Sequence, residues 1–98
     1  MKPSEIPDGW TILTASEARV REGALRNGLE EGHPLYRVST HGLARRDDRD
    51  GDVVLGLFGH ECEMAVVRFD DSSDAGPSTI FFRDTDEFLA QWEARLKT

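Results

Sequence analysis

The sequence predicts an α+β fold in which two helices pack on an antiparallel meander of three to four strands, in the order (β)-α-β-β-β-(β)-α. Two capping patterns, each a Thr or Asp followed three residues later by Glu, indicate where the helices begin. Between them, runs of β-forming residues are separated by turn residues, as in antiparallel hairpins. We expect residues 1–98 to form a single domain, because a chain of this length supports one hydrophobic core.

The first thirteen residues are expected to form an N-terminal arm or an edge strand (1–13). The Pro7-Asp8-Gly9 segment favours a turn, and a short β-prone run follows it from Trp10. A buried Trp10 would pack this segment on the core, whereas an exposed Trp10 would indicate a binding surface. Burial is the commoner state of tryptophan.

The first helix is predicted from about Ala15 to Glu31. Thr14 and Glu17 form its capping box, and Gly32 followed by Pro34 gives a stop signal. Its apolar stripe is thin and consists chiefly of Ala18, Leu25 and Leu29. The helix must therefore be stabilised by tertiary packing rather than by its own propensity.

Three strands of a meander are predicted in the middle of the chain. Alternating β-formers begin at Leu35 and are interrupted at His41-Gly42, where a bulge is expected. Asp50-Gly51 then precedes the apolar run 53–58, and Asp-Gly between β-forming runs favours a hairpin turn. A second turn at about 59–61 leads to the third run, 64–69.

Residues 70–78 are predicted to be a flexible acidic loop, because this segment contains only turn-forming and small polar residues. A short fourth strand is expected at 79–83. Asp84 and Glu87 form the second capping pattern, and a second helix follows whose apolar positions are spaced for one face: Phe88, Leu89, Trp92 and Leu96.

The charge balance argues against nucleic acid and membrane surfaces as partners. There are 19 Asp and Glu against 12 Lys and Arg, giving a formal net charge of -7. A field of that sign repels phosphate backbones and anionic lipid headgroups. It favours basic protein partners, although an acidic surface is also a common means of solubility.

A cytoplasmic location is expected. No apolar run approaches the roughly 18 residues that a membrane span needs. The first eight residues contain no apolar signal core. Cys62 is the only cysteine, so one chain can form neither an internal disulfide nor a cysteine-based metal cluster.

Two segments have the residue types of a metal or catalytic site, and neither supports the prediction of an enzyme. The carboxylates of 47–52 resemble a calcium loop, but with Gly51 at its sixth position the first and twelfth positions would be Arg46 and Leu57, where carboxylates are required. His60, Glu61 and Cys62 share one turn, where sequence neighbours seldom reach the geometry that activates a thiol. We therefore predict no catalytic residue, no metal and no cofactor.

Several segments resemble a family of small uncharacterised bacterial proteins without an established activity. They are Gly32-His33-Pro34-Leu35-Tyr36, Leu43-Ala44-Arg45-Arg46-Asp47-Asp48, Ala65-Val66-Val67 and Pro77-Ser78-Thr79, with Phe82 near the end. The family has an aromatic-rich stretch like a Trp-Pro motif before its last strand, whereas this chain has Ala75-Gly76-Pro77. The resemblance implies a bacterial, cytosolic, single-domain protein and adds no catalytic residue.

The leading hypothesis is a small acidic protein-binding module, in its most concrete form an immunity or antitoxin-type inhibitor of a basic bacterial effector. Acids are concentrated in the last third of the chain, where residues 70–98 contain seven acidic residues and three basic ones. The predicted partner-binding residues are Asp70, Asp71, Asp74, Asp84, Asp86 and Glu87. The alternative is a small-ligand-binding or minor enzymatic domain that uses His41, His60 or Cys62.

Overall fold

The computed structural model describes residues 5–73 and 76–96, without the side chains of residues 50 and 71–73. It confirms the predicted α+β class and element order, and both optional strands form. The five strands make one antiparallel sheet in the order β1-β2-β3-β4-β5, so every neighbour in sequence is a neighbour in space. The elements are β1 (Trp10–Ile12), α1 (Ala15–Gly28), β2 (Ser39–Arg46), β3 (Arg49–Phe58), β4 (Met64–Ser73), β5 (Gly76–Phe82) and α2 (Thr85–Arg95).

The connection between α1 and β2 is longer than the sequence predicted. The capping box of Thr14 and Glu17 is present, but α1 ends at Gly28 rather than Glu31, and β2 begins at Ser39 rather than Leu35. The residues between fold as successive turns, closed by backbone hydrogen bonds from His33 to Glu30 and from Val38 to Leu35. These local bonds satisfy backbone groups that the predicted helix end and strand would otherwise have paired.

The turn of the β2–β3 hairpin lies at Asp47 and Asp48, which corrects the prediction of a turn at Asp50-Gly51. Arg46 pairs with Arg49 across it, and residues 50 and 51 belong to β3. Asp47 is held by the N-terminal segment, because its backbone N–H donates to the carbonyl of Gly9 and its carboxylate accepts from the Thr11 hydroxyl. Contacts with Gly9 and Thr11 thus determine the position of the hairpin turn, which the local sequence does not determine.

The strands around the predicted acidic loop are also longer than expected. β4 continues to Ser73 and β5 begins at Gly76, with an irregular register between Arg68 and Ser72. The predicted loop 70–78 is therefore mostly strand, and its residues 74 and 75 lie outside the described part of the chain. Gly76 adopts a φ of +135°, which L side chains rarely take, and a Cβ there would lie 3.0 Å from the His33 ring.

The helices cover opposite faces of the sheet. Alternate residues of β3 point to different sides, so that Val54 packs beneath α2 whereas Val53 and Leu55 pack beneath α1. On the α1 side the predicted bulge appears as a register shift between Gly42 and Ala44. A Cβ on Gly42 would lie 3.3 Å from the Cα of Ala18, so glycine permits the close approach of α1.

Aromatic rings form the core beneath α2. The Trp10 ring lies 5.4 Å from both the Phe88 ring and the Trp92 ring, in edge-on geometry, and Phe82 meets Phe88 in the same way at 5.3 Å. Edge-on pairs at these distances are favourable beyond the area that they bury. Trp10 is buried, so β1 is an edge strand that packs on the core, and the predicted apolar face of α2 is confirmed.

A buried carboxylate at the other end of this core is surrounded by arginines. Asp52, in β3, is 0% exposed, and its oxygens lie 3.3 Å from Nη1 of Arg46 and 3.3 Å from Nε of Arg68. Arg68, itself buried, also donates from Nη2 to the carbonyl of Leu96 at 2.6 Å. The cluster therefore links β2, β3 and β4 to the C-terminal end of α2.

We predict that Trp92→Ala lowers the free energy of unfolding by about 3 kcal/mol or more, because removal of a large buried aromatic leaves a cavity. Trp92 is 8% exposed and contacts Trp10, while the Arg46 guanidinium lies 5.4 Å above its ring. Urea unfolding followed by circular dichroism measures the change. Val20→Ala on α1, where the side chain is 69% exposed, is the control and should change stability by less than about 0.5 kcal/mol.

We predict that Asp52→Ala lowers the free energy of unfolding by about 3–5 kcal/mol, because the buried Arg68 then loses the buried carboxylate beside it. Asp48→Asn is the matched control: Asp48 also pairs with Arg46, at 2.9 Å, but its side chain is 74% exposed, so the cost should stay below about 1 kcal/mol. Equal unfolding midpoints for the two variants would show that the buried cluster contributes no more than a surface ion pair.

Candidate functional site

One end of the sheet brings together the β3–β4 turn and the start of α2. The backbone N–H of Glu63 donates to the carbonyl of Arg83 at 2.9 Å, and the Thr85 hydroxyl lies 3.3 Å from Sδ of Met64. These contacts arise because Met64 at the start of β4 pairs with Phe82 at the end of β5. Residues some twenty positions apart in the chain thus share one surface.

This surface carries five carboxylates, and we call it the acidic end: Glu61, Glu63, Asp84, Asp86 and Glu87. Asp84 caps α2 by accepting from the backbone N–H of Glu87 at 2.9 Å. Glu87 in turn accepts from Nη1 of Arg95 at 3.1 Å. The other three acids are exposed, so they carry the charge that a partner would meet.

An exposed aromatic ring lies beside the acidic end. Phe58, the last residue of β3, is 63% exposed, which is unusual for a ring of this size. It borders a depression of about 420 Å³ that also includes Leu43, Met64 and Thr85. An apolar ring next to a depression, rimmed by charge, is the arrangement in which aromatic residues anchor protein interfaces.

The structure separates the predicted partner-binding residues into two groups. Asp84, Asp86 and Glu87 lie at the acidic end. Asp70 lies six residues along β4 from Met64, about 20 Å away at the usual rise per residue, and is paired with Nε of Arg49 at 3.3 Å. The Asp71 side chain and all of Asp74 fall outside the described residues. Asp70 and the acids of 84–87 therefore lie at opposite ends of the sheet.

The residues of the alternative hypothesis lie on two elements. His41 is exposed on β2, with Nδ1 3.5 Å from the Glu22 carboxylate. His60 and Cys62 lie in the β3–β4 turn, where Nδ1 of His60 accepts the backbone N–H of Cys62 at 3.0 Å and the imidazole stacks on Phe81 at 5.1 Å. That nitrogen is bonded to the Cys62 backbone N–H, not to the Cys62 thiol.

Sequence analysis missed Phe58, Glu61 and Glu63 as parts of a surface. In the sequence, Glu61 and Glu63 are simply neighbours of Cys62, and Phe58 is the end of an apolar strand. The predicted turn at 59–61 was the signal that could have found them, because a turn exposes the residues on either side of it. Their proximity to α2 depends on the pairing of β4 with β5, which no local pattern reveals.

Neither described helix has the length and apolarity needed to cross a membrane. Within 5–73 and 76–96, no three side chains of His, Cys, Asp or Glu are grouped as metal ligands.

We predict that iodoacetamide alkylates Cys62 no faster than it alkylates free cysteine near neutral pH. Cys62 is half-buried, and Nδ1 of His60 accepts the backbone N–H of Cys62, so that nitrogen is not placed to take the proton of the thiol. The rate on the folded protein is compared with that on the same protein in denaturing urea, where the surroundings of Cys62 are removed. Alkylation several-fold faster in the folded state would contradict this and favour a nucleophilic role.

The chain matches no protein-family model, no curated protein and no solved structure. The resemblance to small bacterial proteins therefore stays a prediction. What this chain does has to be inferred from its own side chains and their arrangement.

Proposed function

We propose that this protein is a small binding module for a basic protein, with an inhibitor of the immunity or antitoxin type as its most specific form. The observation that carries the proposal is the exposed Phe58 beside the acidic end. The Phe58 ring would enter an apolar pocket of the partner. The basic side chains of the partner would lie against Glu61, Glu63 and Asp86. No reaction is required of such a protein.

Phe58 supplies the apolar part of the interface. A ring that is 63% exposed loses contact with water when a partner covers it, and aromatic residues in the middle of interfaces account for a large share of binding energy. The neighbouring depression of about 420 Å³ gives a partner side chain a place to enter in return. Reciprocal insertion of this kind makes an interface specific.

The acidic end orients the partner and raises the rate of association. Of its five carboxylates, within the part of the chain that the structure describes, only Asp84 and Glu87 pair with arginines, namely Arg83 and Arg95, so the end keeps a net negative charge. Complementary charge raises association rates by roughly 10- to 1000-fold at low salt and acts much less on dissociation. A basic partner would therefore be drawn to this end of the molecule before Phe58 is buried.

The alternative, a ligand-binding or minor enzymatic domain that uses His41, His60 or Cys62, has less support. His60 is stacked on Phe81 and bonded to the backbone, which restricts its movement. The thiol two residues after His60, that of Cys62, is flanked by the carboxylates of Glu61 and Glu63. A metal or metabolite that co-purifies with the protein and is lost in His60→Ala would favour this alternative.

The first test of the proposal is a tagged copy of the protein used to capture its partner, followed by stopped-flow association at several salt concentrations. We expect a stoichiometric basic partner whose association slows steeply as salt rises. The double variant Glu61→Gln/Glu63→Gln should slow association at least about 10-fold at low salt with little change in dissociation. Phe58→Ala should instead accelerate dissociation by about 10-fold or more.

The matched control is Glu30→Gln/Glu31→Gln, which removes the same charge elsewhere. These exposed residues follow α1, whose Gly28 carbonyl lies beside Gly76 at the start of β5, the end away from Phe82. Association unchanged by the control but slowed by Glu61→Gln/Glu63→Gln supports docking at the acidic end. Equal rates for the two double variants, or rates independent of salt, would refute it.

A further inference from the structure

We infer that a groove on the α1 face is a binding site for a small organic monocarboxylate with an apolar body. The groove lies between the second half of α1 and the segment 35–40. It differs from the protein-binding surface proposed above because it is concave, positively charged and lined by a different set of residues. The inference does not depend on a protein partner, and either proposal can fail without the other.

The groove has the size and floor of a small-molecule site. Its volume is about 440 Å³, within the range of about 300–1,000 Å³ typical of ligand pockets. Leu25 and Leu35, both buried, and Leu29 and Val38, both half-buried, provide apolar lining. Above this buried floor, an apolar ligand body would displace water from Leu29, from Val38 and from Tyr36, which is 37% exposed, and such displacement is a main source of affinity for small molecules.

The charges in the groove favour a single anionic group. Arg26 and Arg37 line it, and within the described residues neither has a carboxylate oxygen within 4.0 Å. Glu22 is the acidic lining residue, and its carboxylate already accepts the backbone N–H of Gly42 at 2.9 Å. Two cations and one anion leave a net charge of +1, in a chain whose net charge is -7.

A monocarboxylate matches this balance better than a dianionic phosphate. Its one negative charge neutralises the excess, and its planar pair of oxygens fits the donor fork of an arginine. The apolar floor then requires that the carboxylate be attached to a hydrocarbon or aromatic body. The ligand class follows from those two features together, since neither arginines alone nor leucines alone would select it.

The wall of the groove is held in place before any ligand arrives. Nε2 of His33 donates to the carbonyl of Pro77 at 2.7 Å, while Nδ1 accepts the backbone N–H of Leu35 at 3.0 Å. Among the described residues other than glycine, Arg37 alone has a positive φ, 65°, and its guanidinium lies 5.5 Å from the Tyr36 ring centre. The segment that His33 anchors thus places Arg37 at the groove, and a wall that is formed before the ligand arrives lowers the cost of binding.

The test uses octanoate as the probe and the ¹⁵N-labelled full chain, followed by NMR chemical-shift titration. We expect saturable shifts centred on residues that line the groove, with a dissociation constant on the order of 1 mM for a ligand this small. Two further probes separate the contributions: 1-octanol lacks the charge, and acetate lacks the apolar body. Each should bind at least about 10-fold more weakly than octanoate.

The variant Arg26→Gln/Arg37→Gln should raise the octanoate dissociation constant at least about 10-fold while its spectrum stays that of a folded protein. Arg19→Gln is the matched control, because Arg19 is exposed on α1 and does not line the groove. Arg26→Gln tested alone keeps the experiment decisive if the change at Arg37 disturbs its unusual backbone.

The inference is overturned if octanoate gives no saturable shifts, if 1-octanol binds as well as octanoate, or if Arg26→Gln and the double variant bind like Arg19→Gln. Shifts that saturate but map to Phe58 and the acidic end would also overturn it, since the probe would then report the exposed ring. Octanoate bound at the groove together with failure of the salt and charge tests would leave the ligand site standing and the protein-binding proposal refuted.

Discussion

The carboxylate of Asp52 is the point on which the rest of the structure depends. It lies fully buried between Arg46 of β2 and Arg68 of β4, and Arg68 reaches on to the carbonyl of Leu96 just after α2. Removing one member of such a buried set costs far more than the set contributes when complete, because an unpaired charge is left in a poorly solvated place. Three strands and the end of one helix are therefore held in one mutual arrangement.

With the sheet and α2 held in this way, the two helices leave different surfaces on opposite faces. At the N-terminal end of α2 the pairing of β4 with β5 collects acids around the exposed Phe58. On the α1 face the short helix and the turns after it enclose an apolar groove that carries two arginines. Although the net charge of the chain is -7, its charges are unevenly distributed: the acidic end is negative and the groove is positive.

Part of the candidate site could be predicted and part could not. Asp84, Asp86 and Glu87 are predicted to bind a partner because they form an acidic run, and that role stays a prediction. The capping role that the sequence also assigns to Asp84 is confirmed. Asp70 was grouped with them because it is near in sequence, yet strand geometry carries it to the far end of β4. Glu61 and Glu63 are distant in sequence and near in space for the same reason.

By itself the sequence determined the class of fold, because the capping patterns that begin at Thr14 and Asp84 and the period of apolar residues are local properties that need no partner. Only the tertiary structure decided where each element ends. Contacts of Asp47 with Gly9 and Thr11 placed the hairpin turn, and the bonds of His33 to Leu35 and Pro77 shaped the segment that the sequence predicted as helix end and strand. Local energies that differ by little between neighbouring turns are overruled by hydrogen bonds to residues far along the chain. The bond of His33 to Pro77 shapes the wall of the groove, and the pairing of β4 with β5 brings the acidic end together.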